Sequence, residues 1–320
     1  GSPQPVLRLF KSALADSGRS TGLLVVELAD GSALGRVGAV LYAWCDKTQL
    51  AASSAAADLI WVVDESSSLA SARQQIASNA AALVARAQAQ GLDVRMGVTG
   101  MCSPAGACKA ALGKFCSRAS TKPDDDGGTD RFLLASEQAL FAACVTNPPG
   151  IAEGFEYGLW NVSEGIKKHL PREAGAASKI RLGAHLAVIA VSDEAPETIQ
   201  ATIGATASAV CILESSAQGQ VDAAVAPYVS LLSGTALAGG VASFHVVGGL
   251  CGNACKAQVG HGYLELARQR GGLGVDVCDG ELARSLGAII DDIAGHAAPL
   301  ELAAAPVSAS LRVTVDGAPV

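Results

Sequence analysis

Two stretches of this 320-residue chain, ADLIWVVD ending at Asp64 and IRLGAHLAVIAVSD ending at Asp193, are near-continuous apolar runs that close on an aspartate. A strand with no polar face cannot leave either side in water, so both runs belong in a sheet covered on two sides, as parallel βα units provide. Helical spacing fills the intervals. Leu69, Ala72, Ile76, Ala80 and Leu83 recur at steps of three and four, predicting one helix that runs to about Gly91. Phe155, Leu159, Val162 and Ile166 predict another that stops before Pro171, and further helices are expected near 221–233, at HGYLELARQR and at GELARSLGAIIDDIAG. Strands are expected at LDVRMGVTGM, ASFHVVGGL and GVDVC. The pattern predicts an α/β fold with about five β/α steps over residues 57–297: a doubly wound, mostly parallel, Rossmann-like sheet flanked by helices.

The flanks differ. Residues 1–56 contain GLLVVELADGSALGRVGAVLYAWC, which reads as a hairpin around Asp30-Gly31, and residues 298–320 contain SASLRVTVDG, where Leu311, Val313 and Val315 alternate with polar residues. They are expected to form a small β appendage. Gly1-Ser2 reads as a cloning scar, which implies that any export sequence lay upstream.

A formal charge of −7 argues against a general nucleic-acid binder. No apolar run reaches the ~18 residues of a membrane span. Nine cysteines gather in loop-like stretches, MCSPAGACKAALGKFC and GGLCGNACK, which favours disulfides in an oxidising compartment over C-x-x-C zinc sites.

The chemistry concentrates after the first long strand, in Asp64-Glu65-Ser66-Ser67-Ser68. Functional loops of an open parallel sheet gather at the carboxyl ends of its strands, and Asp64 and Asp193 both sit at such ends. Ser66 and Ser68, two residues apart, can face one point. A shell of carboxylate and hydroxyl oxygens suits Mg2+, Mn2+ or Ca2+ rather than zinc. Taken alone, the pentapeptide also reads as a serine-capped helix start.

Asp64-x-Ser66-x-Ser68, the β/α order and the distant Asp193 together resemble the von Willebrand factor A domain of integrin I-like proteins, with its metal-ion-dependent adhesion site. The resemblance covers roughly residues 57–297. It implies a metal-dependent, non-enzymatic adhesion module in which Ser66 and Ser68 bind the ion directly while Asp64 and Asp193 act largely through water. It also implies a threonine ligand, which falls to Thr146, with Glu153 the competing candidate. Neutral hydroxyls leave the cation most of its charge, so the expected partner is a protein or matrix surface that offers an acidic side chain. The disulfide-tied loops and GYLELARQRGG resemble bacterial cell-surface A domains of gliding-motility adhesin lipoproteins, implying secretion or an outer-surface location with a lipid anchor.

Competing chemistry is weaker. A hydrolase or phosphotransferase using the same strand-end metal would need an added base or nucleophile. Gly18-Arg19-Ser20-Thr21-Gly22 matches G-x-S-x-G, but that motif needs a strand before it and a helix after, whereas KSALAD reads helical and GLLVVELA reads as a strand. DDDGGTD lacks the ligand spacing of a calcium loop. His185 and His245 fall inside apolar strands and read as core residues.

Overall fold

The computed structural model describes residues 5–13, 20–28, 55–105, 107–118, 128–150, 156–234, 242–255, 257–297, 313–315 and 318–319. The chain divides into two compact units, Gly1–Ser54 with Pro299–Val320, and Ala55–Ala298.

In the first unit β1 (Pro5–Ala13) pairs antiparallel with β2 (Ser20–Leu28) from Pro5 opposite Leu28 to Ala13 opposite Ser20. Val313–Val315 runs parallel to β1, and Ala318–Pro319 turns back on it. The two flanks therefore share one four-stranded sheet. One expectation changes here. Lys11, Ser12 and Ala13, read as helical, close β1, because a nine-residue ladder with β2 outweighs a short local helical pattern. β1 and β2 form a hairpin, and the one expected around Asp30-Gly31 lies outside the described residues. Ser20 opens a strand instead of a helix, so the G-x-S-x-G match lacks its elbow.

The second unit is built on six strands: β3 (Ala55–Val63), β4 (Leu92–Thr99), β5 (Leu133–Leu134), β6 (His185–Ser192), β7 (Ala242–Gly248) and β8 (Gly274–Asp276). Their order is β5-β4-β3-β6-β7-β8, all parallel except the short edge strand β5. Alternation splits β3 between two cores. Leu59, Trp61 and Val63 face Ile76, Leu83, Leu286 and Ile289 on one side, while Ile60 and Val62 face Leu159, Val162, Ile199 and Leu266 on the other. Each such side chain gains about 1.5–3 kcal/mol from leaving water, and helices therefore cover both faces.

The helices are α1 (Ala70–Ser78), α2 (Ala80–Ala89), α3 (Gln138–Thr146), α4 (Gly158–Lys168), α5 (Glu197–Ile203), α6 (Ala205–Ser208), α7 (Ser215–Leu231), α8 (Tyr263–Gln269) and α9 (Leu282–Ala297). The stripe from Leu69 to Leu83 is buried throughout. Its single expected helix is broken at Asn79, whose side-chain amide donates to Gln75 O at 2.8 Å and competes with the helical ladder. Phe155 lies outside the described residues, and α4 starts at Gly158.

Disulfides join Cys102 to Cys108, Cys116 to Cys144 and Cys255 to Cys278. The first two fasten the stretch after β4, where Phe115 is fully buried. That stretch, loop-like in the sequence, contributes Phe115 and Cys116 to the core. Most of DDDGGTD lies outside the described residues.

Candidate metal centre at the strand ends

Asp64 is the first residue past β3, and Asp193 the first past β6. These strands are hydrogen-bonded neighbours, with Val63 opposite Val191, so both aspartates leave the sheet at one place. There the strand order reverses: the chain works outward from β3 to β5 on one side and from β6 to β8 on the other. Such a reversal opens a crevice beyond the carboxyl ends of the strands.

The Asp64 loop is shaped by its own hydrogen bonds. Ser66 N–H donates to Asp64 Oδ1 at 2.6 Å, an Asx turn, and Ser192 Oγ donates to Asp64 Oδ2 at 3.1 Å. The turn brings the hydroxyl oxygens of Ser66 and Ser68 to 2.9 Å. Beneath the backbone, Arg73 Nη1 donates to the carbonyls of Asp64 and Ser66, each at 2.7 Å, and Nε donates to Thr146 O at 3.3 Å. Among the described contacts, this guanidinium reaches no carboxylate. It holds the loop by its main chain.

Acidic groups crowd the same point. Asp64, Glu65 and Glu156 each offer a carboxylate oxygen within 4.8 Å of the others. Met101 N–H donates to Glu65 at 2.9 Å from either oxygen, and a Cβ at Gly100 would collide with Glu65 Oε1, so the tight fit requires glycine there. Glu156 precedes α4, whose first residue, Gly158, rests against the Tyr263 hydroxyl so closely that a side chain would clash. Burial, followed by the negative charge of Asp64, Glu65 and Glu194, pushes Glu156 up to about 10. Glu65 is pushed up to about 8, mainly by burial and in smaller part by Asp64. Burial, with the Asp193 charge adding to it, also raises Asp64.

The donor set fits a hard cation. Asp193 Oδ1 is buried with no hydrogen-bond partner, and such an atom costs free energy unless something satisfies it. Oxygen is the only donor type among the clustered carboxylates and hydroxyls, which suits Mg2+, Mn2+ or Ca2+. Asp64, Ser66, Ser68 and Asp193 are the residues that would hold the ion, with Glu65 and Glu156 beside Asp64.

Of the residues singled out in the sequence, Asp64, Ser66 and Ser68 share one hydrogen-bonded loop, and Asp193 follows the strand next to it. Thr146, the last residue of α3, meets this group through its carbonyl at Arg73, while its hydroxyl donates to Ala142 O at 2.9 Å within its own helix. Glu153 lies outside the described residues. Sequence reasoning passed over Glu65, Arg73, Glu156 and Ser192. Glu65 and Ser192 were within reach as immediate neighbours of the two aspartates. Arg73 lies on the apolar helix and Glu156 in a glycine-rich stretch of the sequence, where no periodicity marks either.

No family model matches the chain, and no curated protein matches it. Among solved structures, it is similar to the pilus adhesin SpaC from Lactobacillus rhamnosus GG in its open conformation, at 14% identity and a TM-score of 0.38, over 91% of this chain and 33% of that one. It is also similar to the PilB minor pilin from Streptococcus sanguinis, at 10% identity and a TM-score of 0.38, over 91% of this chain and 77% of that one. The chain thus spans about a third of the length of SpaC.

Proposed function

We propose that residues 57–297 form an extracellular, divalent-cation-dependent protein-binding module of a bacterial cell surface, of the von Willebrand factor A type that the sequence resembles. The observation that carries this reading is the meeting of the Asp64-Ser66-Ser68 loop with Asp193, whose buried Oδ1 has no hydrogen-bond partner, at the reversal point of a parallel sheet. A cation held partly by uncharged hydroxyls retains much of its charge and attracts an anionic ligand. An acidic side chain on a partner surface is such a ligand. The chain's own residues orient the donors: Ser66 N–H and Ser192 Oγ fix the Asp64 carboxylate, and Arg73 fixes the loop backbone.

Isothermal titration with magnesium tests the reading. Wild type is expected to give a binding heat that Asp64→Ala and Ser66→Ala lose. Identical heats from all three would end it.

A second reading draws on the close contact of the Glu156 and Asp64 carboxyl groups, whose oxygens lie within 4.8 Å of each other. If that contact keeps the crevice filled, the unit is a scaffold whose partner binding is indifferent to chelator, and Glu156→Gln would leave binding unchanged.

A further inference from the structure

Among the described residues, two cysteines remain outside the three disulfides, and they lie together. Cys211 and Cys251 are both exposed thiols. The Cys251 thiol donates to the Cys211 carbonyl at 3.2 Å, so this sulfur already sits against the backbone of the other cysteine. The neighbouring Cys211 side chain is the main reason the Cys251 thiol is pushed up to about 11. The surrounding chain is tied in the same place: His261, ten residues past Cys251, hydrogen-bonds Val210 O at 2.8 Å. Cys251 belongs to the loop after β7, where Gly249 bridges Val259 and Gln258 N–H donates to Asp193 O at 2.8 Å. Cys211 lies in the stretch after α6, between exposed Val210 and Ile212.

We infer that Cys211 and Cys251 are a redox pair that closes a fourth disulfide, fastening the segment after α6 to the loop that backs Asp193. The three formed disulfides place the chain in surroundings where such oxidation proceeds. The oxidant is a low-molecular-weight disulfide. One cysteine thiolate attacks a sulfur of that disulfide, forming a mixed disulfide and expelling one small thiolate. The second cysteine, losing its proton, attacks the protein sulfur of the mixed disulfide and expels the other small thiol. Two protein thiols are oxidised by two electrons, and one small disulfide is reduced to two thiols. Because both cysteines are exposed while Cys102, Cys108, Cys116 and Cys144 are buried, a mild reductant can reopen this bond and spare those.

The test is alkylation of the full chain after incubation with oxidised glutathione, followed by peptide mapping without reduction. A peptide linking Cys211 to Cys251 is expected, and in Cys211→Ser the Cys251 thiol becomes fully alkylated. Oxidised wild type is further expected to melt about 5 °C or more above the Cys211→Ser/Cys251→Ser variant, with the difference removed by mild reductant. Full alkylation of both thiols in the oxidised wild type, or linkage of either to Cys45, would overturn the proposal.

Discussion

Strand β3 carries a buried aspartate near each end, and the two are handled in opposite ways. Near the amino end Asp58 accepts from Arg95 Nε at 3.0 Å and Nη2 at 2.9 Å, from Arg181 Nε at 2.8 Å and from Arg181 N–H at 2.6 Å. Two guanidinium groups thus meet one carboxylate. At the carboxyl end Asp64 is equally buried, yet the one arginine nearby, Arg73, binds carbonyls, and the neighbours of Asp64 are further acids. Charge at Asp58 is closed by the fold itself, whereas at Asp64 no arginine or lysine reaches the carboxylate among the described contacts. The same residue type is a structural brace near one end of the strand and, in the function proposed above, a binding group just past the other.

The largest expected effect lies at the braced end. Arg95→Ala should cost about 3–5 kcal/mol in urea unfolding, because it leaves Asp58 buried with half its compensation. Asp64→Asn in chelator should cost nothing or stabilise, since it removes an uncompensated carboxylate. An equal loss from both variants would erase the contrast between the two ends.

Next in size is the response of the wild type to ligand. Magnesium at a hundred times its dissociation constant should add about 2.7 kcal/mol to unfolding stability, and Asp64→Asn should abolish the gain.

The acid cluster should also show in the pH dependence of the metal-free protein. Glu65 and Glu156 hold protons more tightly folded than unfolded, so their contribution is present below pH 4.5 and is lost as pH rises, through about 8 for Glu65 and about 10 for Glu156. Stability in chelator should therefore fall between pH 6 and 8, by up to about 1.4 kcal/mol per unit for each group. Glu156→Gln should flatten that slope. A melting temperature that rises over this range would contradict the placement of both acids.

The smallest effect sharpens the threonine question. Thr146→Val removes a hydroxyl bonded within its own helix and should cost about 0.5–1.5 kcal/mol. If magnesium affinity is unchanged in this variant, the threonine position of the resembled family is filled by another residue, and Glu156 is the nearest candidate. If affinity falls tenfold or more, Thr146 turns toward the ion when it binds.

The parallel sheet was legible because β3 and β6 are apolar on both faces, a pattern few other architectures accommodate. The Asp64-Ser66-Ser68 loop was legible because consecutive residues share one turn. Glu156 was not, since α4 brings it to the crevice through tertiary packing against Tyr263, for which local sequence carries no period. The break at Asn79 escaped because it leaves the apolar stripe intact. The strand character of Lys11–Ala13 depends on pairing with Ser20–Gly22, a contact that helical spacing within the segment does not report.

Ser192, which steadies Asp64, arrives 128 residues later in the chain. During synthesis the first half of the crevice must therefore wait, its buried acids still in water, until β6 is made and slides in beside β3. A ribosome-bound fragment that stops short of β6 would show an Asp64 that titrates like an ordinary carboxylate, and the cation affinity proposed above would emerge only as the second half docks.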